Sequence, residues 1–335
     1  MEKVANNRVE YFDFLRGIAI IMVVGIHTFI AYPIDTLAGM SSVTVRQLLN
    51  CAVPIFLALS GVFCGKKILD TRDSRISFWK RQIPKVYIPA IVWSLPYFAI
   101  KLWQLDGAVG LSVLKQVVLL LVCGYSIYYF IALIIQYYLL LPYLQKRKKM
   151  WLFVSVVMSM ISILVITYGL KLFNVKLPLI LYAGPFPVWF VFFMLGVYYS
   201  SSSINYKTIH AIVLIILGFV LECIETYWLN VNYGGGYGIK LSAFIYSIGV
   251  VMLILTPKLR YAYKSNKLTS IVAYIGSMSF GIYLIHYFVV GVIKFILPIR
   301  NWALSWLLVV LCTSAAIAVA RKILPMRFNK YLGFL

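Results

Sequence analysis

Polar positions punctuate this chain at long intervals, and between them run stretches apolar on every side. The runs fall at about 12–32, 45–64, 82–103, 126–144, 150–170, 182–200, 209–229, 238–256, 272–296 and 302–322. At roughly 20 residues apiece, each predicts a helix able to cross a hydrocarbon layer about 30 Å thick. None alternates polar with apolar residues, which excludes a membrane β-barrel. A shorter run, LSVLKQVVLLLVC at Leu111–Cys123, predicts a half-helix or interfacial segment. The expected fold is an all-α integral membrane protein, a bundle of about ten transmembrane helices in one domain over 1–335. The first run follows a short basic segment, but it carries Arg16 and lacks a small-residue cleavage site, so it reads as an uncleaved span.

Composition agrees: 63% of the 335 residues are hydrophobic and 12% charged, far from a soluble domain. The net charge of +22 does not point to nucleic acid, because Lys and Arg cluster in short segments between the apolar runs. One side receives roughly 23 of the 31 Lys and Arg, among them KRKK at Lys146–Lys149; the positive-inside rule makes that side, and both termini, cytoplasmic. A bacterial cytoplasmic membrane is the expected location. The five cysteines are scattered and mostly inside apolar runs, which suits packing and gives no metal site. NYGGGYG reads as a flexible turn, since no strand precedes it to form a phosphate cradle.

Against this background a few polar residues stand out. Arg16 and His27 are eleven residues apart, about 20° past three full helical turns, so they share one face about 16 Å apart along the axis. Ionisable groups on one stripe at two depths are expected to face a bundle interior or a watered cavity. Snorkelling to headgroups is the competing account of Arg16, and Asp13 is a local partner one turn away. His286, about 15 residues into the ninth run, is expected at the depth of His27. His210 falls at the cytoplasmic edge as an ordinary interfacial residue. Glu222 and Glu225 share a face of the seventh run; Glu222 is too deep to reach water easily, whereas Glu225 can reach the outer interface.

The pattern RGIAIIMVVGIH, an arginine, ten residues and a histidine, resembles the first span of the acyltransferase family 3 membrane proteins. CAVPIFLALSGVFCGKK (Cys51–Lys67) is similar to that family's second span, FWKRQIPKVYIP (Phe78–Pro89) to the basic start of its third, and SFGIYLIH (Ser279–His286) to its late Tyr-Leu-x-His element. YYFIALIIQYYLLLP (Tyr128–Pro142) resembles a further span, with Tyr129-Phe130 where many members carry Trp-Phe. With no hydrolase-like domain after the tenth run, the chain is identified as a stand-alone member.

The resemblance implies an O-acyltransferase that moves an acyl group, most often acetyl, from acetyl-CoA or another acyl-CoA to a hydroxyl of a cell-surface polysaccharide or its lipid-linked precursor. Membrane lipid is then a partner, and nucleic acid and metal are not. Arg16 with Lys80, Arg81 and Lys85 would hold the anionic nucleotide, and His27 would act as general base. His286 or Glu222 would orient His27, position the sugar or bind the oxyanion. Direct transfer and an acyl-histidine intermediate both remain open. The competing class is a polysaccharide exporter or non-catalytic assembly partner; the absence of an internal repeat weighs against it.

Overall fold

Apolar side chains turned outward connect the sequence to its architecture. The computed structural model describes residues 2–105, 107, 110–201, 206–297 and 299–335, with side chains from Glu10 onward. In the helix Thr208–Tyr233, Val213, Ile216, Val220, Ile224 and Val231 are exposed, while Ala211, Gly218, Glu222, Thr226 and Leu229 are buried. A soluble helix has the reverse arrangement. With hydrocarbon as the solvent, small and polar side chains go inside, where they find partners.

Among the described residues the regular structure is helical, without a strand. Eight helices among these residues are long and apolar enough to cross a membrane: Glu10–Thr28, Leu37–Cys64, Arg72–Trp103, Ser126–Leu144, Lys148–Leu172, Thr208–Tyr233, Ser279–Ile296 and Trp302–Ile323. Two of the ten expected spans are shorter. Phe186–Tyr199 has 14 residues and Leu241–Leu255 has 15, or about 21–23 Å of helix. The first of these is walled in by protein, with Phe190, Phe192, Phe193, Met194 and Val197 buried, so its length need not match a bilayer. Leu111–Leu121 is a separate helix of 11 residues with no buried residue.

The expected span 272–296 is divided. Lys267–Ser277 and Ser279–Ile296 are distinct helices that break at Met278. Just before the break Gly276 packs so tightly on the first helix that a Cβ there would fall on the Asp13 carbonyl. The turn closes with the Met278 N–H on the Ile275 carbonyl, 3.0 Å away.

The first helix and the segment Leu37–Cys64 form an antiparallel hairpin. Phe63 lies against Arg16 and Phe12 near one end, and Cys51 Sγ is 3.9 Å from Met22 Sδ farther up. On its other side the first helix is held by two tryptophans. Trp302 and Trp306 donate their indole N–H groups to the carbonyls of Gly25 (3.0 Å) and Ile21 (2.7 Å), which fixes the rotation of the helix and hence the direction of its polar stripe.

Candidate functional site

The polar stripe of the first helix opens on two cavities. Arg16 lines one of about 270 Å³ with Ser60, Tyr138, Ser277 and Ser279. His27 lines another of about 210 Å³ with Arg46, Asn50, Tyr129 and Trp189. Phe56, Phe130 and Tyr283 line both, so these three rings stand between them. Phe130 is 6.4 Å from Phe56 and 5.6 Å from Tyr283, centroid to centroid, and the Tyr283 hydroxyl is tied to the Ile127 carbonyl. Opposite the first helix, Arg46, Asn50, Val53, Phe56 and Ser60 line one cavity or the other. Their spacings of three and four residues put them on one helical face. Two antiparallel helices thus form walls that run from Arg16 to His27.

The two intramembrane histidines meet. The rings of His27 and His286 are 5.2 Å apart, and Tyr287 lies 5.6 Å from His27. His286 is fully buried, and its Nδ1 sits 3.1 Å from the Ile282 carbonyl and 2.8 Å from that of Tyr283. Two acceptors at one nitrogen assign the proton to Nδ1 and leave Nε2 as a lone pair. That Nε2 is buried with no hydrogen-bond partner among the described residues.

Arg16 has two neighbours of its own: an ion pair with Asp13 at 2.8 Å and the Phe63 ring, 4.7 Å from its guanidinium carbon. Burial is partial, so further N–H donors are available to the cavity. Lys80, Arg81 and Lys85, expected beside it, do not line that cavity. Their helix contributes Val86 instead, and at 100° per residue the three basic side chains leave the helix about 100–140° away from Val86. Lys80 and Arg81 border a shallow surface depression with Asp73 and Ser77; Lys85 is exposed.

Glu222 is fully buried but borders neither cavity. It accepts from Asn50 Nδ2 at 2.5 Å and pairs with Lys240 at 3.2 Å. Lys240 also donates to Gln47 at 2.8 Å, and Asn50 accepts from Arg46 at 2.6 Å. Among the described residues Glu222 therefore reaches the lining of the His27 cavity through Asn50; a direct bond to His27, one of the expected roles, is not made. Glu225 is not at an open interface but takes bonds from Tyr168 and Ser242. Tyr168 sits in a stretch of π-helix, Leu164–Gly169, a distortion frequent at functional sites. His210 is exposed, away from the site.

Sequence reasoning passed over Arg46, Asn50, Gln47 and Lys240. The available signal was the repeat Arg46, Asn50, Val53, Phe56, Ser60. The glycine-rich turn is also more than a connector. Gly238 and Ile239 line the His27 cavity, and the Tyr237 carbonyl accepts from Asn50 at 2.8 Å. Gly236 makes this path possible at φ 99°, where a Cβ would strike Leu229. No cluster of three metal-ligating side chains occurs among the described residues.

A family model described as an acyltransferase domain matches residues 9–321, and the chain belongs to that family, acyltransferase family 3. No curated protein and no solved structure matches it.

Proposed function

We propose that this multi-pass membrane acyltransferase moves a short acyl group, acetyl foremost, from cytoplasmic acyl-CoA to a hydroxyl of a cell-surface polysaccharide or its lipid-linked precursor. The Arg16 end of the bundle then faces the cytoplasm of a bacterial cell, in keeping with the placement of Lys and Arg. The observation that carries this reading is the pair of adjoining cavities, with a cation in one and paired imidazoles in the other, along walls supplied by one helix hairpin.

Arg16 receives phosphate oxygens of the nucleotide, for which a planar guanidinium is well shaped. Lys80, Arg81 and Lys85 raise the local positive potential without touching the cavity, and so speed the approach of an anion. The uncharged arm of the coenzyme lies between the two walls, which brings the thioester past Phe56, Phe130 and Tyr283.

In the second cavity His27 accepts the proton of the acceptor hydroxyl while its oxygen attacks the thioester carbonyl. The new C–O bond forms, the C–S bond breaks, and the departing thiolate recovers the proton from the His27 imidazolium. His286, its Nδ1 proton held by two carbonyls, places a lone pair beside His27 that stabilises the transient charge. Water is excluded by the apolar lining, which favours the acceptor over hydrolysis.

The test uses detergent-purified protein with acetyl-CoA and extracted glycan, and mass analysis of the ester formed. Ester formation that ends with His27→Ala, at unchanged membrane abundance, is the expected result. Transfer at the wild-type rate by that variant overturns the mechanism, and wild-type protein that neither binds nor consumes acetyl-CoA overturns the function.

A further inference from the structure

We propose that Arg46 makes the His27 cavity a site for an acidic acceptor, a sugar bearing a carboxylate or phosphate near the hydroxyl that is acylated. This rests on the acyl-transfer reading and adds a substrate class to it.

Arg46 is 6% exposed, and among the described residues its guanidinium makes one hydrogen bond, to the neutral Asn50. Among the described residues no carboxylate pairs with it directly. Glu222 is held by Lys240 and Asn50, and Glu225 by Tyr168 and Ser242. A buried charge without a direct counter-charge is costly by several kcal/mol, yet Arg46 has been placed with care: Asn50 is fixed from three further directions, by Gln47, Glu222 and the Tyr237 carbonyl. None of the remaining Arg46 nitrogens is both sealed in protein and unbonded, so the spare N–H donors open on the space that Arg46 borders.

That space is the His27 cavity, where Arg46 is the one Arg, Lys, Asp or Glu among the described lining residues. Height along the hairpin agrees. Met22 and Cys51 touch across it; five residues onward from Met22 is His27, and five residues back from Cys51 is Arg46. Both steps climb about 7.5 Å in the same direction, so the imidazole and the guanidinium sit at one level. A planar fork there matches a carboxylate or phosphate in bidentate fashion, and the bound anion supplies the charge that the protein withholds.

The experiment titrates the purified full chain with methyl glucuronoside, glucose 1-phosphate and methyl glucoside, reading heats of binding, and compares Arg46→Gln and Arg46→Lys. The two acidic arms separate carboxylate from phosphate recognition. One acidic probe should bind at least roughly thirtyfold more tightly than the neutral one, and Arg46→Gln should bring that ratio close to one. Arg46→Lys retains charge and bulk, serves if the Gln variant does not fold, and should lose roughly tenfold for want of the fork. Equal binding of all three probes by the wild type, or binding of none, overturns the proposal. So does an Arg46→Gln enzyme that loses kcat equally on acidic and neutral acceptors with KM unchanged, since Arg46 then acts on the developing oxyanion. If the acyl-transfer reading itself is wrong, no ester forms from acetyl-CoA whatever the probes do; if only this proposal is wrong, esters form without acid preference.

Discussion

Removing the negative charge of Glu222 tests the polar knot behind the His27 cavity. Glu222 and Lys240 are both fully buried and 3.2 Å apart, with Arg46 one Asn50 side chain away. Glu222→Gln keeps the shape and an acceptor for Asn50, but it leaves Lys240 and Arg46 as two buried cations with no carboxylate between them. Breaking a buried pair in this way costs about 3–5 kcal/mol. Lys240→Met should cost roughly half as much, because Glu222 retains Arg46 as a nearby counter-charge. Replacing both partners removes Lys240 with its carboxylate and leaves only Arg46 without one, so it should recover part of the loss of Glu222→Gln, about 1–3 kcal/mol. Unfolding free energies in mixed micelles, across the full double-mutant cycle, supply the measurement. The reasoning fails if Lys240→Met is the more damaging single change, or if the double variant is as unstable as the sum of the singles. Activity should not follow stability back, since the double variant still lacks the charge that anchors Asn50.

Arg16→Ala should raise KM for acetyl-CoA roughly tenfold or more with a smaller change in acceptor KM; steady-state kinetics with both substrates varied would show a reversed pattern if Arg16 serves the acceptor. Phe56→Ala or Phe130→Ala should widen the passage between the cavities and improve butyryl-CoA relative to acetyl-CoA by roughly tenfold; competition between the two donors, with an unchanged product ratio, would remove the rings from that role. Gly276→Leu should destabilise the bundle by at least about 1–3 kcal/mol, read as a lower unfolding midpoint, because backbone rather than a movable side chain occupies the space.

Much of the architecture was legible because lipid makes strong demands on sequence. A run such as Ser279–Ile296 has to satisfy its backbone internally, so its helicity follows from its apolar length. The shared face of Arg16 and His27 followed from helical rotation alone; for His286 the sequence offered only the depth of His27, and which helices adjoin at that depth is read from the fold. Depth did not reveal length: Phe186–Tyr199 looked like a spanning helix because nothing in its residues distinguishes burial in protein from burial in lipid. Nor could periodicity reveal partners. Arg46 and Lys240 lie near the ends of apolar runs, where snorkelling is always an available explanation. What makes them part of the site is contact across 172 residues from Asn50 to Glu222 and 193 from Gln47 to Lys240. Lys80, Arg81 and Lys85 are a different case: clustered in sequence, they share the side of their helix turned away from the cavity that Arg16 lines.

The location of the knot has a local cause that the sequence did contain. Pro54 has no N–H, so the Asn50 carbonyl, four residues earlier, has no helical donor, and the ring crowds that carbonyl. The chain responds with a 3-10 turn at Leu49–Cys51, between helices Leu37–Leu48 and Ala52–Cys64. The tighter turn withdraws the Leu48 carbonyl from the α-helical ladder, and the buried Tyr246 hydroxyl meets it at 3.1 Å, with Cys51 Sγ at 3.4 Å. Asn50 is at the centre of this break, where its side chain gathers Arg46, Gln47, Glu222 and the Tyr237 carbonyl. Across this turn Arg46 and Phe56 still share one wall, Arg46 on the His27 cavity and Phe56 on both. One proline thus sets the polar knot beside the cavity that His27 lines, and leaves the wall toward Arg16 to Phe56 and Ser60.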